Sequence, residues 1–128
     1  MSVYQEINVE SIEKLMDVFY AKIRADKGEL GAIFNGKIGT TNAEWAKHKA
    51  KIALFWRNML LGEPVYDGQP LKAHLDLPPF KRELFTEWLN LFSQSLEEVF
   101  SDGIKIQILQ RAEMIAQRFQ FMLYESGH

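Results

Sequence analysis

Three histidines stand in a chain without cysteine, and their surroundings differ. Imidazole titrates near neutral pH and is the commonest nitrogen ligand for a metal, so each position bears on chemistry. His128 is terminal, where chain ends fray. His48 occupies an apolar slot in a helical stripe of Trp45, His48, Ile52, Phe55/Trp56 and Met59. Periodicity alone is equally satisfied by a neutral core imidazole with a hydrogen bond of its own. His74 differs in kind. It lies in Pro70-Leu-Lys-Ala-His-Leu-Asp-Leu-Pro78-Pro79, a segment that can make only a turn or two of helix before Pro78 ends it. An imidazole held there by Leu71, Leu75 and Leu77 faces inward from a segment with little packing purpose, as a metal or cofactor ligand would. If His74 binds iron and His48 faces it from the opposite helix, the nearby aromatic residues become walls for a flat apolar cofactor. Haem is then the natural candidate.

Other constellations carry less. Gly31-Ala-Ile-Phe-Asn-Gly36-Lys37 has the spacing of a phosphate-cradling loop, but Ile38 stands where a Mg²⁺-binding Ser or Thr is required. The segment also follows a helical pattern rather than a strand, so nucleotide binding has no scaffold. The acidic neighbours Glu83/Glu87 and Glu97/Glu98 sit on amphipathic helices and read as solvated faces, as do Lys47, Lys49 and Lys51 around His48.

The elements that must position these residues follow from the breakers. All glycines and prolines fall in 28–39, 62–79 and at Gly103 and Gly127, leaving 1–27, 40–61, 80–102 and 104–126 free of both. Stretches of that length far exceed typical strands, so the pattern predicts an all-α chain of four helices. The first carries Ile12, Leu15, Met16, Phe19, Tyr20 and Ile23 on one face behind an N-cap at Asn8. The second opens with a Thr41/Glu44 capping box. The third opens at Pro79 and presents Leu84, Phe85, Trp88, Leu89, Phe92, Leu96 and Val99; the fourth follows a cap at Asp102 with Ile108, Ala112, Ile115, Ala116, Phe119, Met122 and Leu123. The connector 62–79 is too long for a plain helix turn and reads as a functional segment.

Size and charge set the outer bounds. With 128 residues and 14.9 kDa, one domain over 1–128 is expected. Folding would reduce about 21,600 Å² of surface to about 7,000 Å², enough for a core without staples. The absence of cysteine removes disulfides, zinc ribbons, iron–sulfur clusters and thiol nucleophiles, and fits a reducing cytoplasm. A net charge of −2 gives no large positive field for nucleic acid or anionic lipid. No run is apolar enough to span a membrane, and the opening MSVYQEINVE has no leader character. A monomer is expected.

The spaced set Phe19-Tyr20, Phe34, His48, His74 and Trp88 carries a resemblance, together with His48-Lys-Ala-Lys-Ile-Ala-Leu-Phe-Trp56 and the run from Met59-Leu-Leu-Gly to Gly68-Gln-Pro-Leu-Lys-Ala-His-Leu-Asp-Leu-Pro-Pro-Phe80. Over nearly its whole length the chain resembles a group III truncated haemoglobin. The absence of any Gly-Gly pair favours that group over groups I and II. The resemblance implies a shortened globin, two helices packed over two around a b-type haem (iron protoporphyrin IX), with the haem-ligating helix largely replaced by loop.

It also implies roles. His74 becomes the proximal iron ligand, Phe34 the ring stacked on the porphyrin, and Tyr20, His48 and Trp88 the distal residues. Lys51, one turn beyond His48, matches a basic group for a haem propionate, and Ile52 joins the haem contacts. O₂ gains partial negative charge when a ferrous haem binds it, and a phenol O–H and an indole N–H both suit that charge. For Trp88 a core-packing role fits its helix position equally well. The implied function is reversible O₂ binding at a pentacoordinate ferrous haem, for carriage or scavenging, with CO and NO as related ligands. The alternative is an enzyme on the same scaffold, a nitric oxide dioxygenase or a peroxidase-like protein. With no flavin or nicotinamide fingerprint, its electrons would come from an external reductase.

Overall fold

The computed structural model describes residues 3–63 and 82–124. Among these residues five helices run in chain order: α1 (Val9–Ala25), α2 (Glu29–Ile38), α3 (Asn42–Leu61), α4 (Arg82–Val99) and α5 (Asp102–Tyr124). Among the described residues the β pairing is limited to one isolated bridge between Tyr4 and Phe100.

Local chemistry explains where α1 and α3 begin. Asn8 accepts a hydrogen bond from the Ser11 backbone N–H at 2.8 Å, and Ser11 Oγ accepts from the Asn8 N–H at 2.9 Å. Two otherwise unsatisfied donors at the start of α1 are thereby paired. Thr41 and Glu44 repeat this arrangement at α3, where Thr41 Oγ1 accepts from the Glu44 N–H at 3.1 Å. The same contacts hold the Glu44 carboxyl below its ordinary pKa, the Thr41 hydroxyl first among them.

The segment 28–39 departs from the four-helix expectation, because its glycines accompany a helix rather than interrupt one. Asp26 Oδ2 accepts from the backbone N–H groups of Gly28 at 3.2 Å and Gly31 at 2.8 Å, so the cap comes from outside the helix. Gly31 is needed at that approach: a Cβ there would collide with the Asp26 carbonyl. Asn35 then donates from Nδ2 to the Gly31 carbonyl at 2.8 Å. At α5 the expected cap is one residue late. Asp102 is already helical, and the Ser101 carbonyl accepts the first bond of the ladder from the Lys105 N–H at 2.9 Å. The expected helix start at Pro79 lies outside the described residues, as do the side chains of Phe119, Met122 and Leu123.

The helices form two pairs, α1 with α3 and α4 with α5, and α1 lies against α4 where the pairs meet. Ile12, Leu15, Met16, Phe19 and Ile23 of α1 are buried in one apolar cluster with Phe92 and Leu96 of α4 and Ile108 and Ala112 of α5. Each large side chain so buried contributes about 1.5–3 kcal/mol relative to exposure. The N-terminal segment closes the α4–α5 corner: the Tyr4 N–H donates to the Val99 carbonyl at 2.8 Å, and the Ser101 N–H donates to the Tyr4 carbonyl at 2.9 Å.

Candidate functional site

Adjacent residues on a helix point about 100° apart, so Phe19 and Tyr20 of α1 serve different neighbours. Phe19 turns to α4, meeting Trp88 edge-on at 5.4 Å and Phe92 at 5.1 Å between ring centroids. Tyr20 turns to α3, where its ring meets His48 at 4.9 Å and Trp45 at 5.9 Å. The two α1 rings themselves lie 4.9 Å apart. On α4, one turn separates Trp88 from Phe92, and their rings stack at 5.2 Å with 9° between planes. Phe92 stacks in turn on Trp56 of α3 at 5.3 Å and 17°. The aromatic wall is thus continuous from His48 through Tyr20, Phe19, Trp88 and Phe92 to Trp56, drawing on three helices.

The polar groups in this wall are few. Tyr20 is 5% exposed, and burial pushes its phenol well above the ordinary tyrosine range. It is therefore an O–H donor at any physiological pH, with no ionised form to repel an anionic ligand. His48 is half-buried with its Nε2 atom fully enclosed, and its ring lies edge-on to Trp45 at 6.1 Å and 79°. Trp88 is half-buried at the margin of the apolar cluster.

Of the residues singled out from sequence, the structure brings Tyr20 and His48 into contact and links Trp88 to them through Phe19. Phe34 is buried on α2 within the same apolar cluster, and Ile52, one turn past His48, packs half-buried against it. Lys51 is exposed on α3. Lys49 pairs with Asp17 of α1 at 2.9 Å, a surface ion pair of little energetic weight. His74 lies outside the described residues, as does His128.

Trp45 was legible only as a core position. Its indole N–H donates to the Gly39 carbonyl at 2.9 Å, and the Arg24 guanidinium lies over its ring, 5.4 Å from the centroid. The signal in the sequence was its i, i+3 spacing from His48. Arg24, half-buried in the last turn of α1, had no such signal.

A flat apolar group needs apolar walls with a few hydrogen-bond donors, and the described residues supply side chains of that kind, a mostly buried aromatic wall with the Tyr20 hydroxyl in it. No group of three or more His, Cys, Asp or Glu side chains suited to a metal ion is found among the described residues.

A family model for bacterial-like globins matches residues 2–122. The chain is 59% identical over 124 residues to the group 3 truncated hemoglobin ctb of Campylobacter jejuni, with 97% of each sequence covered. It is also similar to the crystal structure of a group III truncated hemoglobin from Campylobacter jejuni, with a TM-score of 0.93, 57% identity and 99% of each chain covered.

Proposed function

We propose that this chain, which belongs to the bacterial-like globins and among them to the group III truncated haemoglobins, binds O₂ reversibly at a b-type haem. A haem cofactor is implied by the family itself. The b type is favoured because attachment through thioether bonds needs cysteine, and this chain has none. When bound, haem supplies a ferrous iron with an open coordination position for a diatomic ligand.

The chain's own residues do the rest. His74 would hold the iron, and its second ring nitrogen would require a hydrogen-bond acceptor to orient it. Phe34 and Ile52 would give apolar contact, and Lys51, exposed on α3, would pair with a propionate. Tyr20 would offer its O–H, and Trp88 its indole N–H, as hydrogen-bond donors to a ligand oxygen carrying partial negative charge. His48, enclosed at Nε2 yet on a helix with lysines to either side, serves better as a gate for entry than as a third donor.

The observation that carries the reading is the Tyr20 phenol, buried and kept protonated, at 4.9 Å from the His48 ring. A hydrogen bond to a charged acceptor contributes about 1.5–3 kcal/mol, so Tyr20→Phe should speed O₂ release about 10- to 160-fold. Release of CO, which carries less negative charge, should change much less. Trp88→Phe should act in the same direction, and the double variant should be non-additive because both donors serve one ligand. Equal effects on O₂ and CO, or strict additivity, would make both residues steric walls and remove polar stabilisation from the mechanism.

A further inference from the structure

Tyr20, His48 and Trp45 form a closed triangle of rings: 4.9 Å between Tyr20 and His48, 5.9 Å between Tyr20 and Trp45, and 6.1 Å between Trp45 and His48. Trp45 is the member held most firmly from elsewhere. It is 1% exposed, its N–H is bonded to the Gly39 carbonyl at 2.9 Å, and Arg24 covers a ring face at 5.4 Å. Arg24 is itself tied down, donating from Nη1 to Asn42 Oδ1 at 3.0 Å and from Nη2 to the Thr40 carbonyl at 3.2 Å. Gly39 closes α2 with φ of +119°, a conformation that favours glycine and aims its carbonyl at the indole. One tryptophan thus joins the end of α1, the end of α2 and the start of α3 to Tyr20 and His48.

A side chain bonded at its edge and covered on its face has one rotamer available, and rings touching it lose alternatives of their own. We propose that Trp45 is a positioning residue that sets the orientation of the Tyr20 phenol and the His48 imidazole, with Arg24 and the Gly39 carbonyl as its anchors. The proposal rests on reading Tyr20 as the ligand donor. Trp45 touches no ligand and acts through Tyr20. A packing-only role would leave the orientation of Tyr20 unaltered once the fold is intact, which separates the two.

The test uses the haem-loaded protein as Trp45→Leu, Trp45→Phe and Arg24→Gln, beside Tyr20→Phe and the Trp45→Leu/Tyr20→Phe double variant. Three quantities are measured in each: O₂ release, CO release, and the flip rate of the Tyr20 ring by NMR in the CO form wherever Tyr20 is retained. Trp45→Leu should accelerate Tyr20 ring flips and speed O₂ release about 2- to 12-fold, the range set by freeing a side chain from its rotamer. CO release should move less. Trp45→Phe and Arg24→Gln should give smaller shifts in the same direction, and keep the test alive if Trp45→Leu does not fold. Trp45→Leu should add nothing in the Tyr20→Phe background. Unchanged ring flips, or a lowered thermal midpoint with O₂ and CO release altered equally, would overturn the positioning role. Unchanged O₂ release in Tyr20→Phe alone would overturn the donor reading, while the ring-flip rate would still decide the role of Trp45.

Discussion

Tyr20 and His48 show how far chemistry is legible in single residues. Both fall on helical stripes read directly from sequence, and the structure brings them into contact at 4.9 Å by pairing α1 with α3. The distal roles proposed for them come from family resemblance, because a stripe identifies a buried position and says nothing of what fills the space beside it. Trp45 marks the limit. A tryptophan on a core face reads as packing, and its contact with Arg24 depends on two helix ends that no local pattern brings together. The residue that tests the opposite side is His74. If it is the proximal ligand, His74→Gly should yield folded protein that loses haem, or keeps it only when free imidazole is supplied. The measurement is the haem-to-protein absorbance ratio after gel filtration, with and without imidazole. An unchanged ratio in His74→Gly together with haem loss in His48→Gly would exchange the two assignments.

At the scale of elements, the starts of α1 and α3 were readable because capping is local: Asn8 with Ser11 and Thr41 with Glu44 lie three residues apart. The missed helix α2 shows the converse. Its N-terminus is capped from Asp26, outside the helix, and its glycine tolerates a close approach rather than making a turn. The glycine rule that correctly bounded the longer helices therefore failed where a glycine served tertiary contact. Gly31→Ala should accordingly destabilise the protein by about 1–3 kcal/mol, as overpacking against backbone does, instead of gaining the small advantage alanine has in a free helix. Chemical denaturation measures this. A neutral or stabilising substitution would mean that the α1–α2 corner yields easily and that the Asp26 clamp does not fix α2.

At the scale of the whole molecule, the described residues form two helix pairs sharing an apolar core, and that arrangement places aromatic residues of α1, α3 and α4 in one wall. Among the described residues no helix is long and apolar enough to cross a membrane. The chain carries a net charge of −2. The all-α class and the four longer helices were legible because breakers and stripes are distributed over the whole chain, so one misread segment left them intact, whereas the two-over-two packing came from the family resemblance. The cofactor was not legible on those grounds, since an apolar wall is also what a solid core presents. Haem binding is consequently the claim on which every proposed role depends. It is tested most directly by the absorbance spectrum of the purified ferrous protein, recorded before and after O₂ and CO are added and again after O₂ is removed. A reversible haem globin gives an intense band near the blue end that shifts with each gas and returns when O₂ is withdrawn. A protein without that band, or one whose band ignores O₂ while responding to CO, would contradict reversible oxygen binding by this chain.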